Sequence, residues 1–239
     1  MKYILKILLF FVDFNHKKKI IDFFKEKEKV NKITIIDVGA HEGETIHLFA
    51  KNFNVKKMIC YEASKTNFNK LKNLKNKFDN FDLEINNIAL GSEKKEMNFS
   101  QTSESSSSTF CKIDQESNYF KRKKKILDFF YSSKYIIHSE LIKLETIDNE
   151  FIKYDLKNID ILKIDTEGFE FDVIKGAKNK IKNIKYIYFE HHYDKMIIKN
   201  YTFRDVNKYL NKFNFTKALK IKMPFRKTFE YIYVNNDFK

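Results

Sequence analysis

The stretch ITIIDVGAHEGET, Ile33 to Thr45, decides how the rest of the chain is read. Ile33, Ile35, Ile36 and Val38 have the near-continuous apolar character of a strand buried on both faces, with Asp37 set near its end. Gly39 then permits a tight turn and close approach of a ligand to bare backbone. Glu42 and Glu44 suit the positive end of a helix that starts near Gly43. The pattern is strand, turn, helix. Such a junction binds nucleotide-like ligands at the carboxyl edge of a parallel sheet, although glycines after a strand often make only a turn.

Downstream, Thr45 to Phe53 has helical spacing, and KMICYE, Lys57 to Glu62, is a second strand ending on an acid 25 positions after Asp37. A carboxylate there matches the vicinal diol of a ribose with its two oxygens. Asn67 to Phe78 carries an apolar stripe, and Leu83 to Leu90 reads as a third strand closed by Gly91. The alternation predicts a parallel sheet with right-handed crossovers. Met97 to Ser100 reads as a short strand. Ser103 to Thr109 is nearly all hydroxyl and on composition reads as a linker, with a loop that hydrogen-bonds a polyhydroxylated substrate as the alternative. Gln115 to Phe130 reads as an inserted basic helix, Glu140 to Thr146 as a strand and Ile147 to Leu156 as a short helix.

The second informative stretch is IDILKIDTEG, Ile159 to Gly168. Its strand carries Asp165 and Glu167 at the carboxyl end, and parity puts Lys163 on the same side as Asp165. A buried lysine needs a carboxylate partner; Asp165, Asp37 and Glu190 are the candidates. Phe169 to Ile181 reads as a helix, and Ile184 to Glu190 as a strand followed by His191 and His192. Three carboxylates and two imidazoles therefore gather at the edge where open α/β sheets hold ligands. Phe203 to Phe213 is a last helix before two strands, Phe215 to Ile221 and Phe229 to Val234.

In a chain of 239 residues, 43% hydrophobic with 25 Phe and 13 Tyr, one large α/β core is expected, with or without a small appendage. The net charge of +14 is spread over scattered lysines. It goes with an abundance of Asn, Ile and Phe typical of AT-rich coding, so a solvated basic surface is expected and no nucleic-acid partner. The densest clusters are Lys17 to Lys19 and Lys121 to Lys125. Two cysteines, Cys60 and Cys111, cannot build a disulfide framework or a Cys-rich metal site, which points to a reducing cytoplasm. Ile20 to Lys29 reads as a charged helix. Before it, Met1 to Val12 reads as an amphipathic helix too short to span a bilayer; packing on the domain is expected, with peripheral membrane contact as the alternative. No residue pattern fixes an oligomeric state.

Taken together and in order, DVGAHEGET, YEAS, NIALGS, SSSST, LETIDNE and LKIDTEGFEFDVIKGA resemble the FkbM family of S-adenosylmethionine-dependent methyltransferases. The resemblance runs from about Ile33 to His192, and the LKIDTEGFE block is its most specific part. It implies an α/β, Rossmann-like class I methyltransferase fold: a mostly parallel seven-stranded sheet flanked by helices, its last strand antiparallel. Residues 1–30 would be an N-terminal helical extension and 31–239 the methyltransferase domain, with an insertion near 100–135. The implied activity is methyl transfer from S-adenosyl-L-methionine to a hydroxyl oxygen of a small-molecule or glycan acceptor.

By position, the resemblance gives Asp37, Gly39, His41, Gly43 and Thr45 to the methionine side of the cofactor and Glu62 to its ribose. Asn87 to Ala89 would lie along the adenine, Asp165 and Glu167 would face the transferred methyl, and Ser107 and Ser108 would belong to the substrate loop. His41 stands where Asn is usual. On chemistry, Asp165, Glu167 or His191 can act as general base, with Lys163 beside them and Glu190 and His192 toward the substrate. Asp165, Glu190 and His192 also offer metal ligands, but their spacing matches no metal motif and no metal is assigned. Two other classes compete. A nicotinamide-dependent oxidoreductase would want G-x-G-x-x-G, whereas Gly39 and Gly43 are four apart; a basic nucleic-acid-binding module would use Lys121 to Lys125.

Overall fold

The computed structural model describes residues 16–28, 31–102, 108–130, 137–224 and 226–238. Met1 to Val12 and Ser107 lie outside them. A helix, α1, occupies 16–27. It is followed by β1 (Ile33–Val38), α2 (Glu44–Asn52), β2 (Val55–Tyr61), α3 (Lys65–Lys72), β3 (Asp82–Asn86), β4 (Ala89–Leu90), β5 (Lys95–Thr102), β6 (Lys112–Ile113) and α4 (Asn118–Phe130). The second half comprises β7 (Ile137–Glu145), α5 (Ile147–Lys153), β8 (Ile159–Ile164), α6 (Glu170–Lys175), β9 (Ile184–His192), β10 (Ile197–Ile198), α7 (Phe203–Lys212), β11 (Phe215–Lys222) and β12 (Thr228–Asn235).

Seven strands form the main sheet in the order β11-β12-β9-β8-β1-β2-β3, with β1 at its centre. The pairs β9-β8, β8-β1, β1-β2 and β2-β3 are parallel, and β12 runs antiparallel to both β9 and β11. This is the expected architecture, with the last strand reversed. The order changes direction at β1: the chain builds outward through β2 and β3, then returns to place β8 on the other side. That switch point opens a crevice at the carboxyl ends of the strands.

Side-chain alternation assigns each strand residue to one of two cores. Ile36, Val38, Leu162, Ile164, Ile187, Phe189 and Tyr231 face the layer holding α5, α6 and α7. Ile33, Ile35, Met58, Ile161, Tyr186 and Tyr188 face the layer of α1, α2 and α3. Ile20 and Phe24 of α1 are fully buried in that second layer, where the Phe24 ring meets Phe49, Phe53, Tyr186 and Tyr188. Helix α1 is thus built into the core. No helix among the described residues is long and apolar enough to cross a membrane.

Three elements depart from the sequence reading. Leu83 to Leu90 is two strands: β4 leaves the main sheet and pairs parallel with β7, which pairs antiparallel with β5 in a separate three-stranded sheet. The reason is local, because Asn87 turns its side-chain amide onto the carbonyls of Glu62 and Ala63 and bends the chain between two apolar stretches. Phe169 to Ile181 keeps only the helix Glu170–Lys175. Finally, β9 extends through both histidines instead of stopping at Glu190.

Candidate active site

At the end of β1 the chain turns back under the neighbouring strands. Gly39 and Ala40 donate to the Tyr61 carbonyl at 2.9 and 3.1 Å, and Asp165 donates to the Val38 carbonyl at 2.9 Å. Gly39 has φ +81, and a Cβ there would stand 1.8 Å from the Asp165 carbonyl oxygen. The close approach that demands glycine is therefore with the end of β8, not with a ligand. His41 also takes a left-handed φ of 49, a conformation that Asn, Asp and His tolerate better than most residues, so the substitution for Asn keeps the turn. Its backbone N–H donates to Glu62 Oε2 at 2.8 Å, and its Nδ1 meets Glu44 at 2.9 Å.

A crevice of about 310 Å³ opens here, lined by Gly39, His41, Thr45, Glu62, Ile88, Ala89, Ser108, Lys163, Asp165, Glu167 and Glu190 among others. Glu62 comes from the end of β2 and Asp165 from the end of β8, and both face the same space. The Glu62 carboxylate is buried and spends one lone pair of each oxygen on backbone N–H groups, those of His41 and, at 2.9 Å, Ser64. Its remaining lone pairs are available to a diol. Ile88 and Ala89 form an apolar wall, whereas Asn87 is exposed and tied to backbone carbonyls, so the adenine expectation does not extend to it.

Asp37 lies below the crevice floor. Lys163 reaches it at 3.0 Å and reaches Asp165 at 3.7 Å. Of the three partners considered for this lysine, Asp37 is the close one. Burial would push Lys163 down, but the charges of Asp37 and Asp165 more than offset it and hold the ammonium protonated. Lys163 is thus a fixed positive charge that ties β1 to β8 beside the reacting edge.

On the far side Glu190 is buried, and burial together with the Asp165 charge pushes its carboxyl up to about 8. His192 Nε2 stands 3.2 Å from Glu167 and 3.2 Å from Glu190. Burial disfavours the imidazolium, but the Glu167 charge and the neighbouring Asp194 and Glu190 carboxyls outweigh it and raise its pKa. The hydroxyl segment is not a loose linker at its described end. Ser108 is buried and accepts from the Thr102 N–H at 3.1 Å, while Thr109 donates to the Glu167 carbonyl at 2.6 Å and so fastens the DTEG turn.

His191 is the main correction. As the next residue of β9 it points to the opposite face from Glu190 and His192, into the rings of Tyr193, Tyr201 and Phe203. It does not reach the crevice and cannot be the base. Burial, with Lys199 and His192 nearby, lowers its pKa from 6.5 to about 3. The folded state thus keeps His191 neutral while the unfolded chain takes up a proton, and stability must fall as pH drops from 6.5 toward 3. Urea titrations over that range should show a shallower loss for His191→Phe than for the wild type, with catalytic turnover retained.

Several contributors were not assigned a role from the sequence. Glu170, the third acid of the LKIDTEGFE block, is fully buried; it accepts from the Gly168 N–H at 2.7 Å and from Tyr201 Oη at 2.6 Å, and so holds the turn rather than a ligand. Glu230 of β12 accepts from Tyr188 Oη at 2.5 Å and contacts His16 of α1. Asp194 flanks His192, and its position two residues on in HHYD was the available clue.

The sequence profile of the FkbM methyltransferase domain matches residues 37–217, about three quarters of the chain. Among solved structures, an FkbM methyltransferase from Methylobacillus flagellatus is 15% identical with a TM-score of 0.54, over 84% of this chain and 44% of that one. Magnesium protoporphyrin IX methyltransferase from Synechocystis, with S-adenosylmethionine bound, is 8% identical with a TM-score of 0.53, over 93% of this chain and 79% of that one. At these identities the likeness is one of fold, and the chain spans less than half the length of the Methylobacillus protein. No curated protein matches the chain.

Proposed function

Because the chain belongs to the FkbM methyltransferase family, we propose that it methylates a hydroxyl oxygen, on a sugar or glycan acceptor, using S-adenosylmethionine. The observation that carries this reading is the convergence of Glu62 and Asp165 on one crevice at the sheet's switch point. The lining fits the cofactor: an acid with spare lone pairs where a ribose would lie, an apolar wall at Ile88 and Ala89 for a base, and the turn 39–43 for the amino-acid end. When bound, the cofactor supplies an electrophilic methyl group on a sulfonium.

The residues of the chain have two tasks. They hold the acceptor oxygen in line and exclude water, which is where most of the rate advantage of such a site lies. They also remove the hydroxyl proton, and Asp165 is placed for that at the mouth of β8, its side chain 37% exposed into the crevice region. The Asp165 and Glu167 carboxylates, with the Glu190 carboxyl beside them, suit an acceptor rich in O–H donors. Lys163 balances part of that charge from beneath.

Calorimetry of the full chain separates this reading from a nicotinamide enzyme. S-adenosylhomocysteine is expected to bind and NAD is not. In Glu62→Gln the affinity for S-adenosylhomocysteine should fall about 10- to 100-fold, the value of one charge-assisted hydrogen bond at about 1.5–3 kcal/mol. Binding of NAD with none of S-adenosylhomocysteine would overturn the proposal. A glycan array incubated with a labelled methyl donor then identifies the acceptor from its labelled product.

A further inference from the structure

We propose that Glu167, Glu190 and His192 form a site for a divalent cation of the manganese type in the wall of the crevice. One donor atom from each lies within 4.8 Å of the other two. His192 Nε2 is 3.2 Å from an oxygen of each glutamate, yet neither contact has hydrogen-bond geometry. Nε2 and Glu190 Oε1 are both fully buried without a hydrogen-bond partner, in residues that are 7% and 5% exposed. An imidazolium simply paired with carboxylates would close to about 2.7–2.9 Å in good alignment. Donors sharing one ion, with bonds of about 2.1 Å and angles of about 90–110°, are instead held about 3.0–3.4 Å apart. The two separations from His192 Nε2, 3.2 Å to each glutamate, fall in that range, and the three donor atoms lie close enough together to converge on one ion.

The surroundings of the imidazole support the same assignment independently. Its other nitrogen, Nδ1, faces Thr228 Oγ1 at 3.2 Å and Asp194 Oδ2 at 3.5 Å, and Asp194 is itself fixed by the Met196 N–H at 2.9 Å. A carboxylate near the far ring nitrogen, as Asp194 is here, favours the tautomer that leaves Nε2 free to ligate. Two carboxylate oxygens and one imidazole suit a borderline divalent ion over magnesium or calcium, which prefer oxygen throughout. Asp165 is not in the set, since it leans to Lys163. Because Glu167 and Glu190 also line the crevice, the open positions of the ion would face the acceptor and hold one of its oxygens. That last role rests on the methyl-transfer reading; the site itself does not.

The test uses the full chain stripped with chelator and titrated with Mn²⁺ alone, following the electron paramagnetic resonance signal of free Mn²⁺. One ion per chain is expected, with selective broadening of the His192 ring signals in the wild-type proton spectrum. Loss of an outer-shell partner typically costs 10- to 100-fold in metal affinity, so Glu167→Gln and Glu190→Gln should each weaken binding at least about tenfold, whereas Asp165→Asn should retain it. Failure of the wild type to bind Mn²⁺, sharp His192 signals with Mn²⁺ bound, or unchanged binding in both glutamine variants would each overturn the proposal. S-adenosylhomocysteine affinity measured on the same samples reports the methyl-transfer reading separately.

Discussion

Replacing Asp165 with asparagine is expected to lower turnover by about 10²- to 10⁴-fold, the usual contribution of a positioned general base, while S-adenosylhomocysteine binds as before. Asn keeps the shape of the side chain and its hydrogen-bonding reach but cannot take a proton. Asp165 is the carboxylate at the tip of β8 that combines exposure to the crevice with a cation 3.7 Å away. Lys163 can hold the carboxylate in place before the reaction. Single-turnover rates with the labelled donor measure the chemical step directly. Full turnover in Asp165→Asn would place the base elsewhere and remove the central step of the proposed function.

Lys163→Met should be the most damaging single change to stability. Asp37 is completely buried and Lys163 is 11% exposed, so their contact at 3.0 Å is a true interior ion pair. Removing one partner of such a pair costs about 3–5 kcal/mol, because the other charge is left without compensation. Equilibrium urea unfolding of the two proteins reads this directly, and the double variant Asp37→Asn with Lys163→Met should recover much of the loss. The sign of the pH dependence checks the cause. Burial already raises the Asp37 pKa against the pull of Lys163, and without the lysine it rises further. A group whose folded pKa is raised loses stability as pH climbs above the unfolded carboxylate value of about 3.9. The gap between variant and wild type should therefore be narrow in acid and widen toward neutrality.

How much of this was legible in the sequence depended on whether a residue's neighbours constrained it. The runs ITIIDV and IDILKI announce themselves because strands buried on both faces leave nothing but apolar residues, and a lone Lys or Asp within them has to find a partner. Hence Asp37 and Lys163 stand out in the sequence as residues that need each other or another partner, though not which carboxylate the lysine takes; the structure pairs them and puts Asp37 beneath the crevice instead of in its wall. His191 departs from its expected place for a different reason. With β9 ended at Glu190, both histidines fell in a loop where they were free to face the crevice; two more residues of strand impose alternation, sending His192 to the site and His191 behind the sheet. The accessory sheet was hidden because Leu83 to Leu90 has no Gly or Pro at its bend, and the break comes from an Asn side chain folding onto a distant turn. Gly39 reads from sequence as permitting a tight turn and a ligand's approach, whereas its constraint is the Asp165 backbone after the neighbouring strand, a contact that no local pattern reveals.

The helix at 16–27 has a practical consequence. His16 and Lys17 form part of the crevice wall while Phe24 sits among four aromatic rings beneath it. Trimming an expression clone back to the first strand, a common economy with nucleotide-fold enzymes, would uncover that ring cluster and leave the cavity with a missing side.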